Sequence, residues 1–163
     1  MTRKKEIQRL ICLSVAVFWM ALIFHFSDQK ADASAQISGS MTYRMVEEIN
    51  QIFHLDWEEG ILLQYAEKLE HPVRKAAHMT EYAILAVIFV ANCMQYPRLK
   101  KRCYVWAQMG ATFYAATDEF HQLFIEGRSG EFKDVCIDST GALIGLLVVW
   151  GIGLVWGRRL GSR

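Results

Sequence analysis

The sequence lacks the motifs that identify common catalytic and metal sites. Its four cysteines form no CxxC pair and show no metal-ligand spacing. There is no HExxH motif, which would place two zinc ligands on one helix face, and no serine-centred nucleophile motif. Internal repeats, low-complexity tracts and domain linkers are also absent. These absences leave hydropathy and the placement of charge as the guides to function.

Apolar residues, which make up 53% of the chain, are concentrated in four runs. The runs cover about residues 10–26, 76–94, 103–122 and 135–156. A membrane-crossing helix needs roughly 20 mostly apolar residues, so the first, second and fourth runs qualify and the patchier third is marginal by itself. We therefore predict an all-α integral membrane protein, a four-helix bundle formed by a single domain over residues 1–163.

Basic residues predict how this bundle is oriented. They cluster before the first run, between the second and third, and after the fourth: Arg3, Lys4, Lys5 and Arg9; Arg98, Lys100, Lys101 and Arg102; Arg158, Arg159 and Arg163. Because short cytoplasmic loops are enriched in Lys and Arg, we expect both termini and the middle loop in the cytoplasm. Every acidic residue except Glu6 lies in or beside the two other loops. The basic clusters therefore orient the protein in a membrane, and no nucleic-acid partner is expected.

The predicted outer segment, residues 27–75, is too long for a plain hairpin and has a helical pattern. Its apolar residues recur at spacings of three and four: Ile37, Met41, Met45, Ile49 and Ile52. This pattern predicts an amphipathic helix that lies on the membrane or on the bundle. A second helix is expected to begin at Asp56, which can cap it, and Pro72 is expected in the first turn of the second span.

Glycines in the fourth run are spaced as GxxxG. The two pairs are Gly141 with Gly145 and Gly153 with Gly157. Small residues at this spacing let helix backbones approach closely, so both pairs are predicted to be packing faces rather than phosphate-binding loops.

Polar and ionisable residues occur near the expected outer ends of three runs. Such groups are costly inside a membrane and usually face the protein interior or a water-filled cavity. In the second run, Lys75, His78 and Tyr82 are spaced to share one helix face. The others lie at the end of the third run, in the following link and at the start of the fourth run: Asp118, Glu119, Gln122, Arg128, Asp134 and Asp138. Together these residues predict one polar pocket that faces outward.

The order and spacing of these residues resemble the VanZ-like family. The similar segments run from Phe26 to about Gly145: Phe26-Ser27-Asp28-Gln29, Arg74-Lys75-Ala76-Ala77-His78 with Glu81-Tyr82, Asp118-Glu119-Phe120-His121-Gln122, Gly127-Arg128, and Asp134 with Asp138 and Gly141. The resemblance implies a small multi-pass protein of the bacterial cytoplasmic membrane that acts near the cell envelope. The family is named after a member associated with resistance to the glycopeptide antibiotic teicoplanin, so a link to glycopeptide resistance is implied as well.

Two functions fit the predicted pocket. As an enzyme, the protein would act on a lipid-linked or phosphorylated substrate, with His78 as general acid or base and Asp118 or Glu119 orienting it or serving as base. Substrate binding is assigned to six residues: Lys75, Tyr82, Gln122, Arg128, Asp134 and Asp138. As a noncatalytic accessory protein, it would bind a phospholipid, a cell-wall precursor or a glycopeptide in the same pocket.

Two other interpretations of the charged residues stay open. A carboxylate of the third run could pair with Lys75 or Arg128 only to hold the bundle together. The cofactor is unknown and no metal ligand is assigned, but a divalent cation could be held by four carboxylates: Asp118, Glu119, Asp134 and Asp138. A bundle needs only one or two polar contacts to set its register, and the excess of polar groups favours a ligand site.

The first run also has features of a secretory signal peptide. Basic residues precede the apolar run, and Ala31-Asp32-Ala33 has the small-x-small form of a cleavage site. We expect the run to be retained as a span, because the stretch from Ser27 to Asp32 is long and charged for a cleavage region. Mass spectrometry of the mature protein is expected to detect peptides from the part of the chain before Ala33. A mature amino terminus at Ser34 would contradict the first span.

Overall fold

The computed structural model describes the backbone of residues 3–161 and the side chains of residues 3–154. The protein is 86% helical, and the described residues contain no strand, which confirms the predicted all-α class. The helices are α1 (Arg3–Ser27), α2 (Ala31–Phe53), α3 (Glu59–Met94), α4 (Pro97–Lys100), α5 (Cys103–Gln122) and α6 (Phe132–Gly161). The side chains of Trp156, Gly157, Arg158 and Arg159, and all of Arg163, lie outside the described residues.

Three of these helices are long and apolar enough to cross a membrane. They are α1, α3 and the part of α6 over Phe132–Leu154. The chain is therefore a membrane protein whose apolar helices contact lipid. Helix α5 has the length of a span at 20 residues but is not among the three. Its polar side chains, including Gln108, Thr112 and Asp118, lower its hydropathy.

The core of the protein is built around α3. This helix packs against α1, α2, α5 and α6. Helix α5 contributes a buried small residue once per turn: Cys103, Ala107, Ala111 and Ala115. Because small side chains let helices approach closely, this stripe allows α5 to lie tightly in the bundle. Large apolar residues on the opposite faces, such as Phe113 and Leu147, are exposed to the surroundings that lipid would fill.

Gly141 and Gly145 bring α6 into backbone contact with α3. A Cβ atom added at Gly141 would lie 2.6 Å from the Cα of Met79, and one at Gly145 would lie 2.5 Å from the carbonyl oxygen of Ala83. Both distances are far below van der Waals contact, which confirms the predicted packing face. At Gly153, by contrast, an added Cβ meets nothing within 4 Å among the described residues, so the described part of the chain forms no packing face there, and its partner Gly157 lies outside the described side chains.

The predicted boundary between an outer helix and the second span is also wrong. A single helix of 36 residues, α3, begins at Glu59 and contains Pro72 in its interior. Asp56 has a left-handed backbone conformation, with φ of 50°, and is not the cap. At ~1.5 Å of rise per residue the helix is ~54 Å long, which exceeds the ~30 Å of a bilayer core. The N-terminal part of α3 therefore extends beyond the apolar layer.

Helix α2 lies along this extension of α3. Val46 on α2 is buried, as are Leu62 and Ala66 on α3, and the Ser38 hydroxyl donates a hydrogen bond to the Glu70 carboxylate. These contacts hold the part of α3 that precedes Pro72, while α1, α5 and α6 pack against the rest of the helix, so the proline does not end it. Tertiary packing here overrides a local helix-breaking signal.

The amphipathic helix predicted between Ile37 and Ile52 is confirmed, but its apolar stripe does not pack on the bundle. Thr42 and Val46 face inward and are buried. Met41 and Ile52 on the stripe are 59% and 69% exposed. Helix α2 therefore contacts α3 through a narrow face and leaves its wider apolar face uncovered by the protein.

Replacing Gly141 with alanine is expected to destabilise the protein by about 1–3 kcal/mol, because the added methyl group collides with the α3 backbone. Thermal unfolding of the purified protein in detergent measures this effect. Gly153→Ala is the matched control, since its methyl group meets nothing and alanine favours helix. Equal melting temperatures for the two variants would contradict the close α3–α6 approach.

Candidate functional site

A polar cavity of about 200 Å³ lies where α5 ends and α6 begins, against the middle of α3. The link between α5 and α6 and the first residue of α2 complete its wall. Seven of the nine predicted site residues line it: Lys75, His78, Glu119, Gln122, Arg128, Asp134 and Asp138. The structure therefore brings together side chains from α3, α5, the link and α6, as their spacing along the chain predicts.

Lys75 and Asp134 form an ion pair between α3 and α6. Their side chains are 25% and 14% exposed, so the pair is shielded from water much more than a surface pair. Removing one partner of a shielded pair leaves an uncompensated charge and is strongly destabilising. Lys75 thus has a structural role in joining two helices, with Asp134 as its partner rather than a carboxylate of α5.

His78 lies against Glu81 one turn along the same helix. Its Nδ1 is 3.6 Å from a Glu81 carboxylate oxygen, and the two side chains are 18% and 21% exposed. The Glu81 backbone carbonyl in turn accepts a hydrogen bond of 3.0 Å from the Trp19 indole N–H. Glu81 was not among the predicted site residues, although its spacing of three from His78 is the signal that could have identified it.

Arg128 is anchored to the C-terminal end of α1. Its Nε donates to the Gln29 carbonyl at 2.7 Å and its Nη2 donates to the Phe26 carbonyl at 3.3 Å. Burial lowers the pKa of Arg128 from its ordinary value, and the nearby Arg74 acts in the same direction. A cation at a helix C-terminus interacts favourably with the helix dipole. Nε and Nη2 are thus engaged in structure, and Arg128 also lines the cavity.

Glu119 and Asp138 are the most buried carboxylates of the cavity wall, with 6% and 3% of each residue exposed. Glu119 accepts a hydrogen bond of 3.0 Å from the backbone N–H of Glu131. Asp138 makes no hydrogen bond or salt bridge to any residue whose side chain the structure describes. Gln122 beside them donates to the Ser27 hydroxyl at 3.0 Å.

Asp118 and Tyr82 lie outside the cavity wall. Both are buried, at 3% and 0% exposed, in the core where α3 and α5 pack. Among the described residues, the Tyr82 hydroxyl and Asp118 Oδ1 have no hydrogen-bond partner, while Asp118 Oδ2 accepts a weak bond of 3.5 Å from Gln122. Helical spacing predicted the face of each helix correctly but not which residues on that face reach the cavity.

His71 and Arg74 also line the cavity but were not predicted as site residues. They lie on the face of α3 that carries Lys75 and His78, at spacings of three and four. The sequence-based boundary at Pro72 separates these two positions from the periodic face, whereas the continuous helix includes them. Arg74 approaches the Glu70 carboxylate at 3.7 Å.

Within the described part of the chain, no three His, Cys, Asp or Glu side chains converge closely enough to hold a metal ion. The four carboxylates considered above as ligands of a divalent cation therefore do not form a common ligand set. Asp134 is paired with Lys75, and Asp118 is outside the wall. The cavity is a mixed-charge site, in which Arg74 and Arg128 are partly exposed while Glu119 and Asp138 are buried.

Comparison with known proteins identifies the family of the chain. The VanZ/LLP1 family profile matches residues 12–155. No curated protein and no solved structure shows a significant match. The matched residues include the whole cavity wall and all helices except the ends of α1 and α6. The chain belongs to the VanZ/LLP1 family.

Proposed function

We propose that the protein binds a lipid-linked or phosphate-bearing molecule of the bacterial cell envelope in the polar cavity. The observation that carries the proposal is the convergence of cationic, acidic and imidazole groups on one cavity in an otherwise apolar membrane protein. Polar groups inside such proteins are costly and mark function more often than structure. The Lys75–Asp134 pair and Arg128 serve structure as well, but these roles do not account for Asp138, Glu119 or His78 in the same wall.

The proposal places the protein as one domain in the cytoplasmic membrane with four spans, both termini inside and the cavity outside. The direction of the helices supports this topology. Gly141 meets Met79, and Gly145 meets Ala83, so α3 and α6 run in the same direction. The chain must return between them, and α5 has 20 residues, or ~30 Å, which matches the bilayer core.

The size of the cavity limits the ligand. Pockets for drug-sized molecules are roughly 300–1,000 Å³, and this one is about 200 Å³. A phosphate-bearing head group fits, whereas a whole glycopeptide does not. A link to teicoplanin resistance would therefore act through a component of the envelope rather than through enclosure of the antibiotic.

Catalysis at this site is supported by the position of Glu81 beside His78. The 3.6 Å between Nδ1 and the carboxylate oxygen is longer than a hydrogen bond, so Glu81 must move closer by a few tenths of an ångström to orient the ring for general acid or base work at the other nitrogen. Glu119 is a second candidate base in the wall, and Asp118 is proposed to position Gln122. The alternative is a noncatalytic accessory protein that uses the same residues only to bind.

Variants of His78 separate these alternatives. If the protein is an enzyme, His78→Ala is expected to lower turnover about 100-fold or more while binding of a phosphate-bearing lipid changes little. Lipid profiles of cells with and without each variant report turnover, and titration of the protein in nanodiscs measures binding. His25→Ala, an exposed histidine outside the cavity, is the control. Losses that track affinity alone would favour the accessory protein, and unchanged activity and binding would contradict both roles.

The four-span topology predicts opposite exposure for two surface positions. In a cysteine-free background, Glu126→Cys is expected to react with a membrane-impermeant maleimide in intact cells. Lys100→Cys is expected to react only after permeabilisation. Both native side chains are exposed, so the folded protein does not block access of the maleimide to either position. Equal labelling of the two cysteines would contradict α5 as a span.

A further inference from the structure

Two carboxyl groups in the most buried part of the cavity have no salt-bridge partner among the described residues. Asp138 and Glu119 both line the wall and are almost completely buried. Among the described residues, neither forms a salt bridge, and Asp138 also has no hydrogen bond. A buried carboxylate is costly unless a counter-charge or hydrogen-bond donors accompany it. The unpartnered group is aimed into a cavity, where a ligand can reach it.

The cations of the cavity are engaged elsewhere. Lys75 is paired with Asp134, and Arg74 lies near Glu70. Arg128 donates to two backbone carbonyls at the end of α1. Lys75, and Arg128 in the case of Glu119, act on these carboxyl groups only at longer range. No salt bridge among the described residues reaches Asp138 or Glu119, so an occupant can supply a closer positive charge.

A ligand with only negative charge would not interact favourably with all the charged groups of this wall. A simple phosphate ester would be attracted by the free N–H groups of Arg128 and Arg74 but repelled by the two carboxylates. An occupant with only positive charge would meet the opposite difficulty. The wall therefore suits a molecule that carries a negative and a positive group. The negative group would lie toward the arginines and the positive group toward Asp138.

An organic ammonium group fits the acidic end better than a metal ion does. A divalent cation held by a protein cage takes several carboxylate or carbonyl oxygens, with water completing the shell, and the described residues contain no three converging His, Cys, Asp or Glu ligands. A primary ammonium has only three N–H donors, which two carboxylates and one amide oxygen can accept. Asp138, Glu119 and Gln122 supply these acceptors in the wall.

We propose that the cavity recognises a phosphate–amine zwitterion, with the phosphate toward Arg128 and Arg74 and a primary ammonium group between Asp138 and Glu119. This inference rests on the proposed binding of a phosphate-bearing molecule at the same site. Phosphoethanolamine has this chemistry, either as a lipid head group or as a free ester.

Paired probes test the proposal. The purified protein in nanodiscs of neutral lipid is titrated with O-phosphoethanolamine and with glycerol 3-phosphate, which lacks the amine. In a second, lipid arm, binding to the protein is compared for phosphatidylethanolamine and phosphatidylglycerol, each supplied as a minor component of the nanodisc. We expect the amine-bearing probe to bind at least about tenfold more tightly in one arm. Preference in the lipid arm alone identifies a membrane lipid as the source, and preference in the soluble arm alone identifies a free ester.

Conservative variants test which residues cause the preference for the amine-bearing probe. Asp138→Asn and Glu119→Gln keep the shape of the wall and are expected to reduce the tenfold preference to about twofold or less, while binding of glycerol 3-phosphate is retained. Glu48→Gln removes one negative charge from an exposed position on α2 and is expected to keep the full preference.

The outcomes separate this inference from the proposed function. Equal binding of both probes by the wild-type protein would overturn the zwitterion but keep phosphate binding. A preference that persists in both cavity variants, or that disappears in Glu48→Gln, would also overturn it. No binding of any phosphate-bearing probe would overturn the proposed function itself.

Discussion

The close approach of α3 and α6 is the contact on which the site depends. Gly141 and Gly145 let the α6 backbone touch the α3 backbone at Met79 and Ala83, so the two helices cannot slide or rotate without collision. This contact sets their register. One to two turns toward the start of α6, the same register places Asp134 against Lys75 and turns Asp138 into the cavity. Glycines without any chemistry of their own therefore determine which charges meet.

The charged residues divide into two groups once their partners are known. Lys75 and Asp134 join two helices, and Arg128 stabilises the end of α1. These three residues therefore follow the rule that shielded charges need partners. Glu119 and Asp138 do not follow this rule, since no salt bridge among the described residues reaches either of them. The charges least explained by stability are therefore the best evidence for a ligand, and they lie at the most buried part of the cavity.

Much of the fold could be predicted, and the errors have a common cause. Hydropathy located the apolar helices, and α5 spans the predicted residues 103–122. The wrong boundary at Asp56 and Pro72 arose because a local signal was read without α2, whose packing on α3 keeps the helix continuous. That error also hid His71 and Arg74, which belong to the same helix face as Lys75.

The sequence by itself determined the apolar runs, their polar faces and the end of the bundle at which those faces meet, because periodicity and hydropathy are local properties. Only the tertiary structure decided which residues on a face reach the cavity. Asp118 lies one position from Glu119, and Tyr82 one turn from His78, yet both are buried in the core. Small rotations and translations of neighbouring helices decide such differences, and these depend on contacts between residues distant in the chain, such as Gly141 with Met79.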